Sequence, residues 1–178
     1  MRVMGIDPGS VVTGWGIIEA SGATLTHVAS GTIRTASLQR GPERLKKIHD
    51  NLIALIDEHR PDAMSLERSF VAASVQSAFR LGEARAMAML AAADREIELF
   101  EYAPNEVKLS VAAFGHAEKA QVKFMVRRTL RLDDGVELAD DESDALALAI
   151  CHSGRARMTA MERIAQPARR GPARWMRR

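Results

Sequence analysis

The sequence predicts one α/β domain built on a mixed five-stranded sheet, three antiparallel strands and then parallel ones, with helices on both faces. Three observations lead there. The first 31 residues hold three apolar runs of strand length separated by turn residues. From Pro42 onward the apolar period changes to that of a helix, and helix and strand patterns then alternate. The chain of 178 residues is 47% hydrophobic and 27% charged, enough for one real core and too little for two.

Each element follows from its residues. Arg2 to Ile6 is rich in apolar side chains, as a central strand must be, and Pro8-Gly9-Ser10 breaks it. Thr13–Glu19 and Thr24–Gly31 are the next two strands, and Ser21-Gly22 is the hairpin turn joining them, which makes the opening an antiparallel meander. Leu45, Ile48, Leu52 and Ile56 recur at helical spacing, and Pro42 and Pro61 bracket that amphipathic helix. A short strand ends at Glu67. The segment Val75–Arg95 is Ala-, Met- and Leu-rich on nearly all sides, so the core is expected to cover one face and a second copy of the chain the other. Ile97–Tyr102 reads as the fifth strand, and helical patterns run from about Pro104 to Ala113, Glu118 to Leu132 and Asp141 to Arg157. The order β-β-β-α-β-α-β-α-α-α is the ribonuclease-H-like layout.

Charge divides the chain. The net charge is +2, yet residues 154–178 alone hold eight Arg and one Glu, so the preceding part is mildly acidic. The expected organisation is a folded domain over 1–157 and a basic, disordered tail over 158–178, suited to phosphates or to solubility. No apolar run approaches the ~20 residues that span a bilayer, and the N-terminus lacks the pattern of a signal peptide. Cys151 is the lone cysteine and sits in an apolar helical run, so it is read as a buried small side chain. A cytoplasmic protein is expected.

Four carboxylates then stand out. Asp7 ends the first strand, Glu67 ends the fourth, and Asp141 and Asp144 open the last helix. Acids at strand ends sit at the carboxyl edge of the sheet, where open α/β sheets place their ligands. Asp141 and Asp144, three apart, share a helix face. Acids in a helix first turn also complement the dipole, and Asp140 and Glu142 in the same run are read that way, with Glu142 a fifth acid beside the site. Asp7 is followed by a glycine-rich turn, and Gly9, Gly14 and Gly16 are expected to leave room for a bulky ligand. With no His or Cys in the set, the donors are oxygens, which suits Mg²⁺ or Mn²⁺. Such a cluster supports phosphodiester hydrolysis by two metal ions. A nucleotide-binding ATPase or sugar kinase also starts with Asp-x-Gly followed by Thr-Gly, but needs two copies of the domain. A non-catalytic scaffold would have no use for all four acids.

The chain resembles the RuvC family of Holliday-junction resolvases over about residues 1–155. The resemblance rests on the opening Asp7-Pro8-Gly9-x-x-x-Thr13-Gly14-x-Gly16, on Glu67 with Phe70 after it, on Leu81-Gly82-x-Ala84-Arg85, on Gly115-x-Ala117-x-Lys119-x-Gln121-Val122, and on Asp141-x-x-Asp144-Ala145-Leu146-Ala147. It implies a homodimer that binds four-way DNA junctions by shape and nicks two strands symmetrically, in partnership with a branch-migration motor of RuvA and RuvB. On that likeness Asp7, Glu67, Asp141 and Asp144 are the catalytic and metal-holding residues, with Mg²⁺ or Mn²⁺ as a pair in each site. Phe70 stacks on an unpaired base near the crossover, and Lys108, Lys119 and Arg80 contact DNA. Arg85, Lys123, Arg127 and Arg128 would extend the basic surface. The chain departs from its relatives in the apolar loop Val71-Ala72-Ala73-Ser74, in Ala86 where Gly is usual, and in the Arg-rich terminus.

Overall fold

The structure is a computed structural model that describes residues 1–9, 11–35, 41–68, 74–133, 135 and 137–165. Its strands are β1 (Arg2–Asp7), β2 (Val12–Ser21), β3 (Thr24–Arg34), β4 (Ala63–Glu67) and β5 (Glu98–Tyr102). Its helices are α1 (Gly41–His59), α2 (Val75–Asp94), α3 (Pro104–Ala112), α4 (Lys119–Leu130) and α5 (Asp140–Ala165). The sheet order is β3-β2-β1-β4-β5, antiparallel across β3, β2 and β1 and parallel from β1 through β4 to β5. This is the expected mixed sheet, with two helices on one face and three on the other.

Strand alternation decides what faces each side. Met4 and Ile6 of β1 and Met64 and Leu66 of β4 enter a core shared with Ile48, Leu52 and Ile56 of α1 and Ala84, Ala88 and Ala91 of α2. Val3 points the other way, into a core with α3, α4 and α5. Because side chains on a strand alternate, Gly5 and Asp7 follow Val3 to the α5 face, and Glu67 leaves Leu66 for that face as well. β1 and β4 run parallel in the register Ile6 with Leu66, so the two acids extend the ladder side by side by one further step.

α1 departs slightly from its pattern. Leu45 is half-buried, while Arg44 is buried with its guanidinium on the Glu83 carboxylate. α4 starts with a reciprocal cap: the Glu118 side chain receives the third-position amide and the Gln121 side chain receives the Glu118 amide at 2.9 Å. His59 lies half-buried against Trp15. Cys151 is buried as expected.

Two expectations change. α5 runs on to Ala165, so the expected start of a tail at residue 158 falls inside a helix. Its Ala, Arg, Met and Glu residues are strong helix formers, and they prolong the helix beyond the part that packs on the sheet. Residues 166–178 lie outside the described residues. Gly14 and Gly16 do not clear space for a ligand. A Cβ on Gly14 would overlap the Asp141 backbone and one on Gly16 would meet the Leu146 side chain, while one on Gly5 would overlap the Ala145 carbonyl. These glycines let α5 lie directly on β1 and β2.

Candidate active site

α5 delivers its first turn to the end of β1. Asp7 pairs across the sheet with Gly14, and Gly14 in turn lies under Asp141. The carboxyl ends of β1 and β4, the start of α5 and the facing sides of α3 and α4 enclose a cavity of about 320 Å³. Asp7, Glu67, Asp144, Lys108 and Lys119 line it, and its apolar wall includes Val107, Val122 and Leu148. Asp141 is not on that lining, but its charge acts on Asp7. Five separate elements thus supply the polar groups of one pocket.

The electrostatics are those of crowded acids. Burial, then the charges of Asp144, Glu67 and Asp141, push the Asp7 carboxyl from 3.8 up to about 8, with Lys119 opposing. Glu67 is raised by burial and by Asp144, and Lys119, Arg85 and Lys108 pull it back. Lys119 donates to Asp144 Oδ2 at 3.2 Å, and the acids around it hold its ammonium above the ordinary lysine value. Among the described residues, no three Asp, Glu, His or Cys side chains are gathered closely enough to ligate one ion as they stand. Asp7, Glu67 and Asp144 share a cavity without closing on a point. Their donor set still suits a hard divalent cation, being all oxygen, and the repulsion that lifts Asp7 and Glu67 is what such a charge would cancel.

The remaining candidates separate. Lys108 and Lys119 both reach the cavity. Arg80 does not line it: Arg80 is exposed on α2 and its carbonyl accepts from Arg44. Phe70 and the apolar loop after it lie outside the described residues. Glu142, read as a fifth acid beside the site, accepts from Ser30 Oγ at 3.3 Å and so faces β3. One residue further along a helix is a turn of about 100°, which carries it away from Asp141 and Asp144. Asp140 pairs with Lys123 at 2.7 Å.

Arg85 was expected on an exterior basic surface, yet it turns inward. Its guanidinium donates to the Glu67 carbonyl and pairs with the Glu101 carboxylate, tying α2 to the ends of β4 and β5. Only its place in the Leu-Gly-x-Ala-Arg motif hinted at this role.

Comparison with known proteins gives a consistent picture. The family model described as crossover junction endodeoxyribonuclease RuvC matches residues 3–152. The chain is 45% identical over 163 residues to the crossover junction endodeoxyribonuclease RuvC of Geobacter sulfurreducens, covering 92% of this chain and 98% of that protein. The corresponding protein of Parvibaculum lavamentivorans is 45% identical over 166 residues, with 93% and 92% covered. Among solved structures, Thermus thermophilus RuvC in complex with a Holliday junction substrate superposes with a TM-score of 0.84 at 30% identity, over 89% of this chain and 96% of that one. The yeast mitochondrial Holliday junction resolvase, 12% identical with a TM-score of 0.67 over 91% of this chain and 82% of that one, shares the fold.

Proposed function

Because this chain belongs to the RuvC family of crossover junction endodeoxyribonucleases, we propose that it resolves four-way DNA junctions in recombination and repair by paired symmetric nicks. It is a metal-dependent nuclease. The observation that supports placing the chemistry is the shared cavity, into which β1, β4 and α5 bring Asp7, Glu67 and Asp144 while α3 and α4 bring Lys108 and Lys119.

In this reading Asp7, Glu67, Asp141 and Asp144 hold a pair of Mg²⁺ or Mn²⁺ ions. Bound there, the cations would acidify the attacking water and stabilise charge on the leaving oxygen. The chain's own residues do the rest. The lysines draw the phosphate into the cavity as point charges. The apolar wall of Val107, Val122 and Leu148 limits water around the carboxylates, which strengthens their hold on cations. Phe70 is assigned to stacking on an unpaired base at the crossover, and the Arg-rich terminus adds sequence-independent attraction to phosphates.

Symmetric nicking requires two such sites. α2 supports a homodimer: Val75, Phe79, Met89 and Leu90 are exposed apolar residues, and the solvent side of Gly82 has open space. These positions recur at helical spacing along one stripe, the form of an isologous helix-on-helix contact. Family membership extends the proposal to a motor of RuvA and RuvB as the partner complex. No helix among the described residues is long and apolar enough to cross a membrane, and action on DNA fits the cytoplasm.

The test is cleavage of a mobile four-way junction with Mg²⁺ or Mn²⁺. Asp7→Asn is expected to bind the junction and leave it uncut. Full cleavage by that variant would reject the site.

A further inference from the structure

The ion pair between Lys119 and Asp144 has a cost that α4 does not need. Lys119 is the first residue of that helix, where a positive charge opposes the dipole; the first turn holds no acidic residue, and the Glu118 carboxylate at the cap already receives a backbone amide. The helix start is already satisfied by the Glu118–Gln121 cap. The lysine side chain is 78% exposed, so packing does not hold it in place either. It is held by the acids: Nζ lies 3.2 Å from Asp144 Oδ2, and its charge also acts on Asp7 and Glu67. One ammonium therefore pairs with Asp144 while its charge reaches Asp7 and, alongside Arg85 and Lys108, Glu67, in an arrangement where no three described acids meet around a point.

We propose that Lys119 is an exchangeable counterion, which occupies Asp144 in the DNA-free protein and is drawn off by a substrate phosphate, freeing that carboxylate for a divalent cation. The proposal rests on the reading that these acids hold metal, and it adds a coupling between metal and substrate. Both the phosphate and Asp144 compete for one ammonium, and the ammonium and the cation compete for one carboxylate. Substrate and cation then bind with positive cooperativity, which by linkage is reciprocal. An uncoupled protein would keep divalent ions on its acids at all times. This one is loaded mainly when a phosphate is in the cavity.

The experiment measures cation binding directly, with Ca²⁺ as the probe and gels confirming that the junction stays intact. Calorimetric titration of Ca²⁺ is performed on wild type, Lys119→Met, Lys119→Arg and Lys108→Met, each with and without a four-way junction. In the wild type the junction is expected to tighten Ca²⁺ binding about tenfold, a typical allosteric coupling. Lys119→Met is expected to bind Ca²⁺ about tenfold more tightly than wild type without DNA, and to lose the junction's effect. Lys119→Arg retains the wild-type coupling. Lys108→Met removes a charge that acts on Glu67 and is expected to tighten DNA-free Ca²⁺ binding by less than Lys119→Met does, which separates exchange at Asp144 from general charge removal; an equal gain from both variants would overturn the proposal. Lys119→Met binding Ca²⁺ no more tightly than wild type in the absence of DNA would overturn the proposal. Absence of Ca²⁺ binding in every form, with and without junction, would overturn the metal reading beneath it as well.

Discussion

Asp7→Asn should make the metal-free protein more stable while abolishing cleavage, and the size of the gain follows from the site. The Asp7 carboxyl titrates near 3.8 in an unfolded chain and at about 8 in the folded one. A carboxyl with a raised folded value binds its proton more tightly when folded, so its stabilising contribution is complete below about pH 4 and is lost progressively up to about pH 8. At 1.36 kcal/mol per unit the whole interval corresponds to a ceiling of ~6 kcal/mol. Water in the cavity and the residual burial of the Asn amide lower the expected gain above pH 8 to about 2–3 kcal/mol. For a chain of this size that raises the melting temperature by roughly 5–10 °C. The assay is thermal unfolding of both proteins in EDTA at pH 4.5 and pH 9, followed by the same scan with excess Mg²⁺. The gap should be wide at pH 9 and narrow at pH 4.5. With Mg²⁺ it should close or reverse, since only the wild type gains stability from the ion. A variant no more stable than wild type at pH 9 in EDTA would refute the argument that burial and crowded charge together strain this site.

Three further outcomes follow from contacts away from the acids. Arg85→Met removes the donor to the Glu67 carbonyl and the partner of Glu101; with Glu67 in the proposed role of metal ligand, cleavage should fall about 10–100-fold, with junction affinity retained in a gel-shift assay. Phe79→Glu places a charge on the exposed α2 stripe, and for the proposed homodimer sedimentation should show a shift from dimer to monomer without loss of helix content. Tyr102→Phe leaves His152 Nδ1 without the hydroxyl that lies 2.8 Å away in the core; urea unfolding should record a loss of about 1–3 kcal/mol, and an unchanged midpoint would mean that water replaces the hydroxyl.

How much of this was legible in the sequence depended on which physical rule applied. The strands and helices could be read because their apolar periods are local, and apart from the far end of α5 they appear within a few residues of the expected limits. Asp7 and Glu67 could be read as neighbours because alternation and parallel pairing act through the backbone alone. Lys119 on Asp144 and Arg85 on Glu67 could not be read from spacing, because long side chains choose partners only after helices have docked. The glycines misled for a related reason. A missing side chain signals close approach but does not say of what: at Gly14 and Gly16 the approaching group is α5, and at Gly9 it is the Val12 backbone. The length of α5 was underestimated because the Arg residues near its end were counted as tail charge, although Arg also favours helix.

The glycine seam under α5 has a consequence for how the chain can vary. Most distances in a protein interior are set by side chains, which can be exchanged in compensating pairs. Here the standoff between helix and sheet is set by main chain against main chain at Gly5 and Gly14. A methyl group added at either place acts as a wedge, lifting Asp141 and Asp144 together away from Asp7, and no trimming of a neighbour can take it up. Variation elsewhere in the two cores can soften or stiffen the molecule while the carboxylate spacing stays put, because that spacing is gauged by the backbone itself.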